Sequence, residues 1–548
     1  MRNIKIIIAL IAFSFLLGSI AQAQGGLNPG GIDVEKSFNA HLKITEKVDV
    51  EPKLPELKGT IKKQYYNVVG KPVSVNYLPP KIRPRAFKKD GVQEFYKGYL
   101  RLGGGLPNAL LGDFSYNLIA KKQLNVGVDL SHYSINNARK LENQRSSDTK
   151  ALVDGTYYLE QGFAVNGQLG FSKKQVYYYG YNDLNEELDT TKYSFESENV
   201  RQRFGTFFGK AKIFNGERTA LDFNYSAGID FYIMQDFYAA RENGFKLELA
   251  ATKWFNETHP LEIKLVTDFT KYKNFETQKL NNFSLRSAYT YHADRFKVKL
   301  GANLTAHEDN FRFFPDVEAN ANVVDGIVTI YAGANGGLHK NSFRNMTDYN
   351  PFLESAVTIK NSSDIHFYGG VKGKIESIEY NGMVGYKTVE NLALYKLSDY
   401  QDSIPRFNVL YDTATIFTIQ ADVSVPLFKG FEVTGSVMNN IYNLENNEKA
   451  WHLPAFSVKA GAKYLTMKDQ LLVKGNFFLE NGVPYQDENG DAKTLNTLFD
   501  ISVGAEYFFS KNIGAFMQLN NLANNRRQRW HRYPVVGLNF LMGISARF

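Results

Sequence analysis

The chain has 548 residues, a formal net charge of +8 and no cysteine. A chain of this length buries a large core without covalent cross-links, and the lack of cysteine excludes disulfides and zinc sites built on thiolates. After the first two dozen residues, no apolar run approaches the roughly 18 residues that a membrane-spanning helix requires.

The N-terminus has the pattern of a secretory signal peptide. Arg2 and Lys5 precede an apolar run from Ile6 to Leu17. At about a dozen residues, this run is too short to span a bilayer as a helix. Ala21 and Ala23 provide the small residues that a signal peptidase requires. We therefore predict that residues 1–23 are a signal peptide cleaved after Ala23, with a membrane anchor as the alternative.

Residues 24–92 are basic and interrupted by proline. Between Gln24 and Lys89 the sequence has 13 Lys or Arg against 6 Asp or Glu. Proline breaks helices and most strand ladders, so we predict an extended arm and not a compact domain. For an exported protein, a solvated periplasmic arm or one touching anionic lipid is favoured over nucleic-acid binding. The prolines that interrupt this segment include Pro52, Pro55, Pro72, Pro79, Pro80 and Pro84.

From residue 93 the sequence becomes a series of runs of roughly ten residues that alternate between apolar and polar. In one run Phe417, Ile419, Ala421 and Val423 alternate with polar residues, so one strand face is apolar and the other polar. Spanning strands need about 9–11 residues, whereas strands of sandwiches are commonly shorter. Backbone polar groups in lipid must be satisfied internally, which leaves a closed barrel as the membrane-spanning form of such strands.

Connections of two lengths alternate along this region. Short turns such as Asp325-Gly326 and Lys429-Gly430 interleave with long loops such as 339–362 and 523–534. This is typical of outer-membrane barrels, in which short periplasmic turns alternate with longer extracellular loops. We predict that residues 93–548 form an all-β transmembrane antiparallel β-barrel of about 22 strands, within a range of about 18–24. The Gly103 to Asn108 segment is expected to be its first outer bend.

The last run has a regular apolar face that ends at the C-terminal phenylalanine. A strand of this kind resembles the closing-strand signal that the barrel assembly machinery reads, with an ordinary amphipathic strand as the alternative. The signal residues are Phe540, Met542, Ile544, Ala546 and Phe548.

Three segments carry a resemblance to a known family. They are the entry from Phe95 to Gly103, the inner motif from Asn350 to Leu353 with Tyr368-Gly369-Gly370, and the closing segment from Asn521 to Phe548. Together they resemble the TonB-dependent receptor family, in a form common in Bacteroidetes. The resemblance implies an outer-membrane receptor barrel and a TonB-type or surface-lipoprotein partner. Only about 70 residues precede the first strand, so a full plug domain is not expected, and the resemblance does not extend to energised transport.

Few residues suggest chemistry. The nine histidines include no pair at metal-ligand spacing, and no Gly-x-Ser-x-Gly elbow is present. Asp487 to Asp491 resembles a fragment of a calcium loop, but turn chemistry explains it as well. We therefore expect no catalytic, cofactor or metal site and no enzyme activity.

Two surface features are candidate contact sites. Tyr177, Tyr178, Tyr179 and Tyr181 are predicted to belong to an aromatic girdle at the membrane interface, with stacking on a sugar as the alternative. The loop with Arg526, Arg527, Arg529 and His531 is basic, so it either contacts lipopolysaccharide phosphates or is solvated.

The resulting expectation is an outer-membrane barrel of receptor or transporter type that binds or passes a solute. A barrel of this width has a lumen that must be blocked, so occlusion by the arm, by loops or by a partner is expected. A structural or assembly barrel of a surface or secretion complex is the alternative, and an outer-membrane enzyme is a third. Expected partners are membrane lipid, lipopolysaccharide and the barrel assembly machinery, and not nucleic acid.

Overall fold

The structure is a computed structural model that describes residues 96–120, 123–160, 162–187, 192–308, 310–398 and 403–548. The predicted signal peptide and the predicted arm, residues 1–23 and 24–92, lie outside the described residues. Among the residues that the structure describes, no helix has the length and apolar character needed to cross a membrane.

The described chain forms a closed antiparallel barrel of 22 strands, which confirms the predicted fold class and strand number. Each strand pairs with its neighbours along the chain, and the first strand also pairs with the last, so the sheet has no open edge. Closure satisfies every strand edge internally, as lipid requires. The barrel strands are β1 (Gly98–Leu106), β2 (Ala109–Ala120), β3 (Leu124–Asn136), β4 (Arg145–Tyr158), β5 (Phe163–Tyr177), β6 (Arg201–Asn215), β7 (Phe223–Gln235), β8 (Arg241–Phe255), β9 (His259–Lys273), β10 (Thr277–His292), β11 (Phe296–His307), β12 (Asn310–Val324), β13 (Val328–Asn341), β14 (Lys360–Ile375), β15 (Ile378–Leu397), β16 (Phe407–Phe428), β17 (Phe431–Leu444), β18 (Phe456–Thr466), β19 (Leu471–Asn481), β22 (Leu498–Phe508), β23 (Ile513–Asn520) and β26 (Asn539–Arg547).

Four short strands and two short helices lie in the long connections. The strands are β20 (Pro484–Gln486) with β21 (Ala492–Thr494), and β24 (Gln528–Trp530) with β25 (Tyr533–Pro534). The helices are α1 (Tyr181–Glu187) and α2 (Phe343–Tyr349).

Alternation along each strand separates an apolar outer face from a polar lumen. On β16 the side chains of Phe417 and Ile419 are exposed on the outside. Asp422, further along the same strand, faces inward, where it accepts hydrogen bonds from Ser436 (2.7 Å) and Gln420 (2.9 Å). The period of two therefore places apolar side chains against lipid and polar side chains in the lumen.

The two ends of the barrel differ as the sequence predicts. Gly326 and Gly430 have φ values of 69° and 82° in two of the short turns, a conformation that glycine adopts at little cost. Gly98 begins β1 at this end, and its amide donates to the Phe548 carbonyl at 2.7 Å, so the C-terminus lies at the same end. We call it the short-turn end and the opposite end the long-loop end.

The glycine run near the start of the barrel differs from the prediction. Gly103, Gly104 and Gly105 were expected in an outer bend, but they lie within β1 and pair with β26. A Cβ atom on Gly105 would lie 1.7 Å from the Phe540 carbonyl oxygen, and one on Gly543 would lie 2.0 Å from that of Leu102. These glycines therefore allow the first and last strands to approach closely where the barrel closes.

Candidate functional site: a cap of loops

Three long connections extend from well-separated points on the long-loop end. They are the β5–β6 connection (residues 178–187 and 192–200), the β13–β14 connection (residues 342–359) and the β23–β26 connection (residues 521–538). When the two strands that flank each connection are left out, six strands separate the first connection from the second. Six separate the second from the third, and four separate the third from the first. Connections spaced in this way around a ring meet only if they extend over its mouth.

The three connections do meet, through three aromatic rings. The rings of Phe352 and Tyr533 stack with centroids 3.8 Å apart. The ring of Tyr179 packs edge-on against both, at 5.7 Å from Phe352 and 5.1 Å from Tyr533. Each connection supplies one of these rings, so together they form a bridge across the barrel mouth.

Hydrogen bonds fix the same meeting point. The Tyr178 hydroxyl donates to the Leu353 carbonyl at 2.7 Å, and both residues are completely buried. The Tyr533 hydroxyl donates to the carbonyl of Pro405 in the β15–β16 connection. Buried hydroxyls need such partners, because an unsatisfied polar group in an apolar environment costs about 1–3 kcal/mol.

Two further elements pack onto this bridge. Trp530 contacts Phe407 of β16 and His452 of the β17–β18 connection, with ring centroids 5.5 and 5.4 Å away. We call the three connections, together with residues 404–409 and 445–455, the cap. Most of its buried apolar side chains belong to one hydrophobic cluster, whereas Ala450 and Trp451 belong to a second, smaller one.

Both ring nitrogens of His452 have fixed roles in the cap. Nδ1 lies 2.7 Å from the Tyr395 carbonyl oxygen and must donate to it, which leaves Nε2 to accept the His531 backbone N–H at 3.3 Å. Only the neutral ring satisfies both contacts, since a charged imidazole has two donors. Burial, with a contribution from Arg529, lowers the pKa of His452 to about 3.

His531 is in a similar state. Its ring stacks on that of Tyr485 at 4.1 Å. Burial is the main cause that lowers its pKa to about 3, and the positive charge of Arg532 acts in the same direction. Among the described residues, Nδ1 of His531 has no hydrogen-bond partner. The cap therefore holds two neutral histidines.

A carboxylate in the barrel wall anchors the β13–β14 connection. Glu242 of β8 is completely buried and accepts hydrogen bonds from the Phe343 amide (2.6 Å) and from the Tyr232 hydroxyl (2.7 Å). These contacts place a carboxylate at the start of α2, where free N–H groups favour a negative charge.

The second anchor is a buried polar group in the β7–β8 connection. Asp236 accepts hydrogen bonds from the Ala240 amide at 2.8 Å, from Gln202 at 3.2 Å and from the Ser355 hydroxyl. Burial raises the pKa of Asp236, and these donors oppose the increase. Ser355 belongs to the β13–β14 connection, so this network also ties the cap to the wall.

The predicted aromatic girdle requires a correction. Tyr178 and Tyr181 have no exposed surface, and Tyr177 and Tyr179 are less than a tenth exposed. Side chains of a girdle must face lipid, whereas these four pack inside the cap. Exposed aromatic side chains occur instead beside the short turns, including Tyr158, Phe255, Tyr291, Phe428, Tyr507 and Phe548.

The calcium-loop fragment and the basic loop, both singled out in the sequence, differ in how far their charges are paired. Asp487 accepts the amides of Asn489 and Asp491 and forms an ion pair with Lys493, so this segment is a self-satisfied turn. In the basic loop, Arg526 and Arg527 are exposed. Arg529 pairs with Glu480 at 2.7 Å, and its guanidinium lies 4.8 Å from the Trp530 ring.

Met542, Ile544 and Phe548 of the predicted closing signal are exposed on the outer face, next to the β1–β26 pairing. Trp530 and His452 were missed as cap residues. A signal for them exists in the sequence, because two of the three tryptophans, Trp451 and Trp530, lie in long connections.

Solved structures with the same fold are outer-membrane receptors and transporters. The FrpB iron transporter of Neisseria meningitidis superimposes with a TM-score of 0.64 at 8% identity, over 84% of this chain and 82% of that one. The ferric enterobactin receptor PfeA of Pseudomonas aeruginosa gives 0.61 at 12% identity, over 82% and 80%. The pyoverdine outer-membrane receptor FpvA of the same organism gives 0.59 at 11% identity, over 83% and 78%.

No protein-family model matches the sequence, and neither does any curated protein. The likeness therefore concerns the fold. The closed barrel, its apolar outer face and its polar lumen are features that only a lipid bilayer accommodates. This chain is an outer-membrane β-barrel with the 22-stranded fold of these receptors.

Proposed function

We propose that this protein is an outer-membrane receptor or transporter whose solute pathway is closed at the long-loop end by its own cap. The observation that carries the proposal is the contact among Tyr179, Phe352 and Tyr533, which joins three connections separated by four or six strands. A 22-stranded barrel has a lumen wide enough to leak unless something fills or covers it. The cap supplies such a cover.

A pocket among the connections at the long-loop end supports a receptor role. It has a volume of about 720 Å³ and lies among the β3–β4, β5–β6, β19–β22 and β23–β26 connections. Lys140, Arg526 and Arg527 line it together with Asp183 and Glu186. A solute or partner bound there contacts two of the three bridging connections, so binding energy is available to separate them.

Planar-bilayer conductance of the purified mature protein tests the proposal. We expect the intact protein to conduct little, and the double substitution Trp530→Ala with Tyr533→Ala to produce a large conductance. Phe275→Ala is the matched control, because Phe275 is 92% exposed at the β9–β10 turn and contributes nothing to the cap cluster. A large conductance in the intact protein would refute closure by the cap.

The alternative occluding element is the predicted arm, residues 24–92. Deletion of these residues with the cap intact distinguishes the two. If the deletion alone opens the pore, the arm and not the cap is the barrier. A structural or assembly role predicts no solute flux in any cap state and the recovery of secretion components in a gentle pull-down.

A further inference from the structure

A chamber lies in the lumen wall on the inner side of the cap. Its volume is about 750 Å³, and β9 to β14 form it together with α2, which contributes Asn345. The residues that line it include four acids, Asp268, Asp316, Glu318 and Asp364, and three bases, Arg286, Lys299 and Lys340.

Most charges of the chamber are neutralised by close partners. Asp268 pairs with Lys340 at 2.7 Å. Asp364 is contacted by Lys387 at 3.0 Å and by the His339 ring at 2.5 Å. These groups therefore carry little uncompensated charge toward a solute.

Glu318 is engaged in a different way. It accepts hydrogen bonds from Tyr368 and Asn320, both at 2.7 Å, and the positive charges of Lys297 and Lys372 act on it. Its carboxylate is therefore also engaged within the wall.

Arg286 is the exception. Asp316 already has a close cation in Lys299, at 2.7 Å from Oδ1, whereas Nε of Arg286 lies 3.8 Å from Oδ2. Within the described chain, Oδ2 of Asp316 has no hydrogen-bond partner. The Arg286 side chain is 50% exposed, so its guanidinium is available from the chamber. Two cations on one carboxylate leave an excess of one positive charge.

We propose that this chamber binds a small polyhydroxylated solute through a single carboxylate held by Arg286. The planar fork of a guanidinium matches a carboxylate with two parallel hydrogen bonds. One excess charge fits a monoanion, whereas a phosphate monoester carries about −1.5 to −2 and would leave negative charge uncompensated. Ser284 and Asn335 line the chamber and supply a hydroxyl and an amide group for the remainder of the solute.

The site does not depend on cap opening. The chamber faces the lumen, so a solute reaches it from the short-turn end while the cap is closed. Binding to the purified protein and conductance are therefore separate measurements, and either can fail without the other.

Isothermal titration of the purified full-length mature protein in detergent, with D-glucuronate as the probe, tests the proposal. Glucuronate is expected to bind saturably, and at least tenfold more tightly than either glucose or glucose 6-phosphate. Arg286→Gln is expected to weaken binding at least tenfold, and Arg286→Lys by less, because the lysine keeps the charge but not the fork.

Lys264→Gln provides the matched control. Lys264 pairs with Glu248 at 2.9 Å in the lumen outside the chamber, and Glu248 retains Lys246 at 3.8 Å, as Asp316 retains Lys299. This variant is expected to bind glucuronate as the unsubstituted protein does. Absence of saturable glucuronate binding, equal affinity for glucose, or equal loss in the Arg286→Gln and Lys264→Gln variants would overturn the assignment.

Discussion

The stacked rings of Phe352 and Tyr533 join two connections that are six strands apart on the barrel. The two residues are distant in sequence, and Tyr179 adds a third connection to the same contact. Since each ring comes from a different part of the rim, loss of one ring weakens a contact shared by all three connections.

Phe352→Ala should therefore loosen the cap and leave the barrel intact. Truncation of a buried phenylalanine typically costs about 3–5 kcal/mol, and Phe352 is only 8% exposed. Faster amide hydrogen exchange is expected in residues 178–187, 342–359 and 521–538 together, and not in β1 or β26. Phe275→Ala, at an exposed turn, should change none of them. If only the connection that contains Phe352 exchanges faster, the cap is not a cooperative unit.

Acidification should open the cap. The pKa of His452 and that of His531 are about 3 in the closed cap, against 6.5 for a free histidine. Because the closed state binds fewer protons, its stability is complete above pH 6.5 and falls as the pH decreases toward 3. In this range, each histidine lowers the stability of the closed state by about 1.4 kcal/mol for each unit that the pH decreases.

The groups around both histidines give the sign of the effect. Arg529 faces His452, while Arg532, Lys493 and Asp487 face His531, and the Tyr395 carbonyl accepts a hydrogen bond from the His452 ring. Conductance is expected to be higher at pH 5 than at pH 7.5, and His452→Gln should reduce this difference. An exposed histidine at the short-turn end, His292, is the control position. A pH response that persists without either cap histidine would contradict the mechanism.

The barrel was predictable from the sequence because strand alternation is local. Phe417, Ile419 and Asp422 show which face each side chain takes without knowledge of any partner. Turn residues such as Gly430 mark the ends of strands for the same reason. These two local signals together give the strand number.

The cap was not predictable, because its contacts join positions distant in sequence. Tyr178 and Leu353 are 175 residues apart, and Tyr533 and Pro405 are 128 apart. A tyrosine with an apolar body and a polar tip suits a membrane interface as well as a buried contact with a carbonyl. The run from Tyr177 to Tyr181 is therefore ambiguous until the partner loops are known. The glycines of β1 were misassigned similarly, since close strand approach and a bend both favour glycine.

Removal of the wall carboxylate below α2 should release the β13–β14 connection. Glu242→Gln keeps the shape of the side chain but removes the carboxylate, which accepts hydrogen bonds from the Phe343 amide and the Tyr232 hydroxyl. A hydrogen bond to a charged group contributes about 1.5–3 kcal/mol, so the closed cap should lose about that amount. Increased proteolysis within residues 342–359 would report the change. Glu379→Gln, at an exposed position near the short-turn end, should have no such effect.

The C-terminal phenylalanine should affect assembly more than stability. Phe548 stacks on Tyr116 with centroids 5.7 Å apart, yet nearly half of its side chain is exposed. If the barrel assembly machinery reads this strand, Phe548→Ala will lower the amount of barrel in the outer membrane and leave refolding into detergent unchanged. Phe509→Ala, at a more exposed phenylalanine beside a short turn, is the control. Equal losses in both variants would indicate a general effect of exposed aromatic residues.

The closing seam should not tolerate even one methyl group. A Cβ atom on Gly543 would lie 2.0 Å from the Leu102 carbonyl oxygen and 2.5 Å from the Gly103 Cα, both of them backbone atoms that cannot rotate away. Gly543→Ala must therefore push β1 and β26 apart, at a cost of about 1–3 kcal/mol or more. At Gly167, on β5, an added Cβ would have no neighbour within 4 Å, so Gly167→Ala is the matched control. The folded fraction, read from the heat-modifiable migration of the barrel on a gel, should fall only for Gly543→Ala, and equal folding of the two variants would show that the seam is not tightly closed.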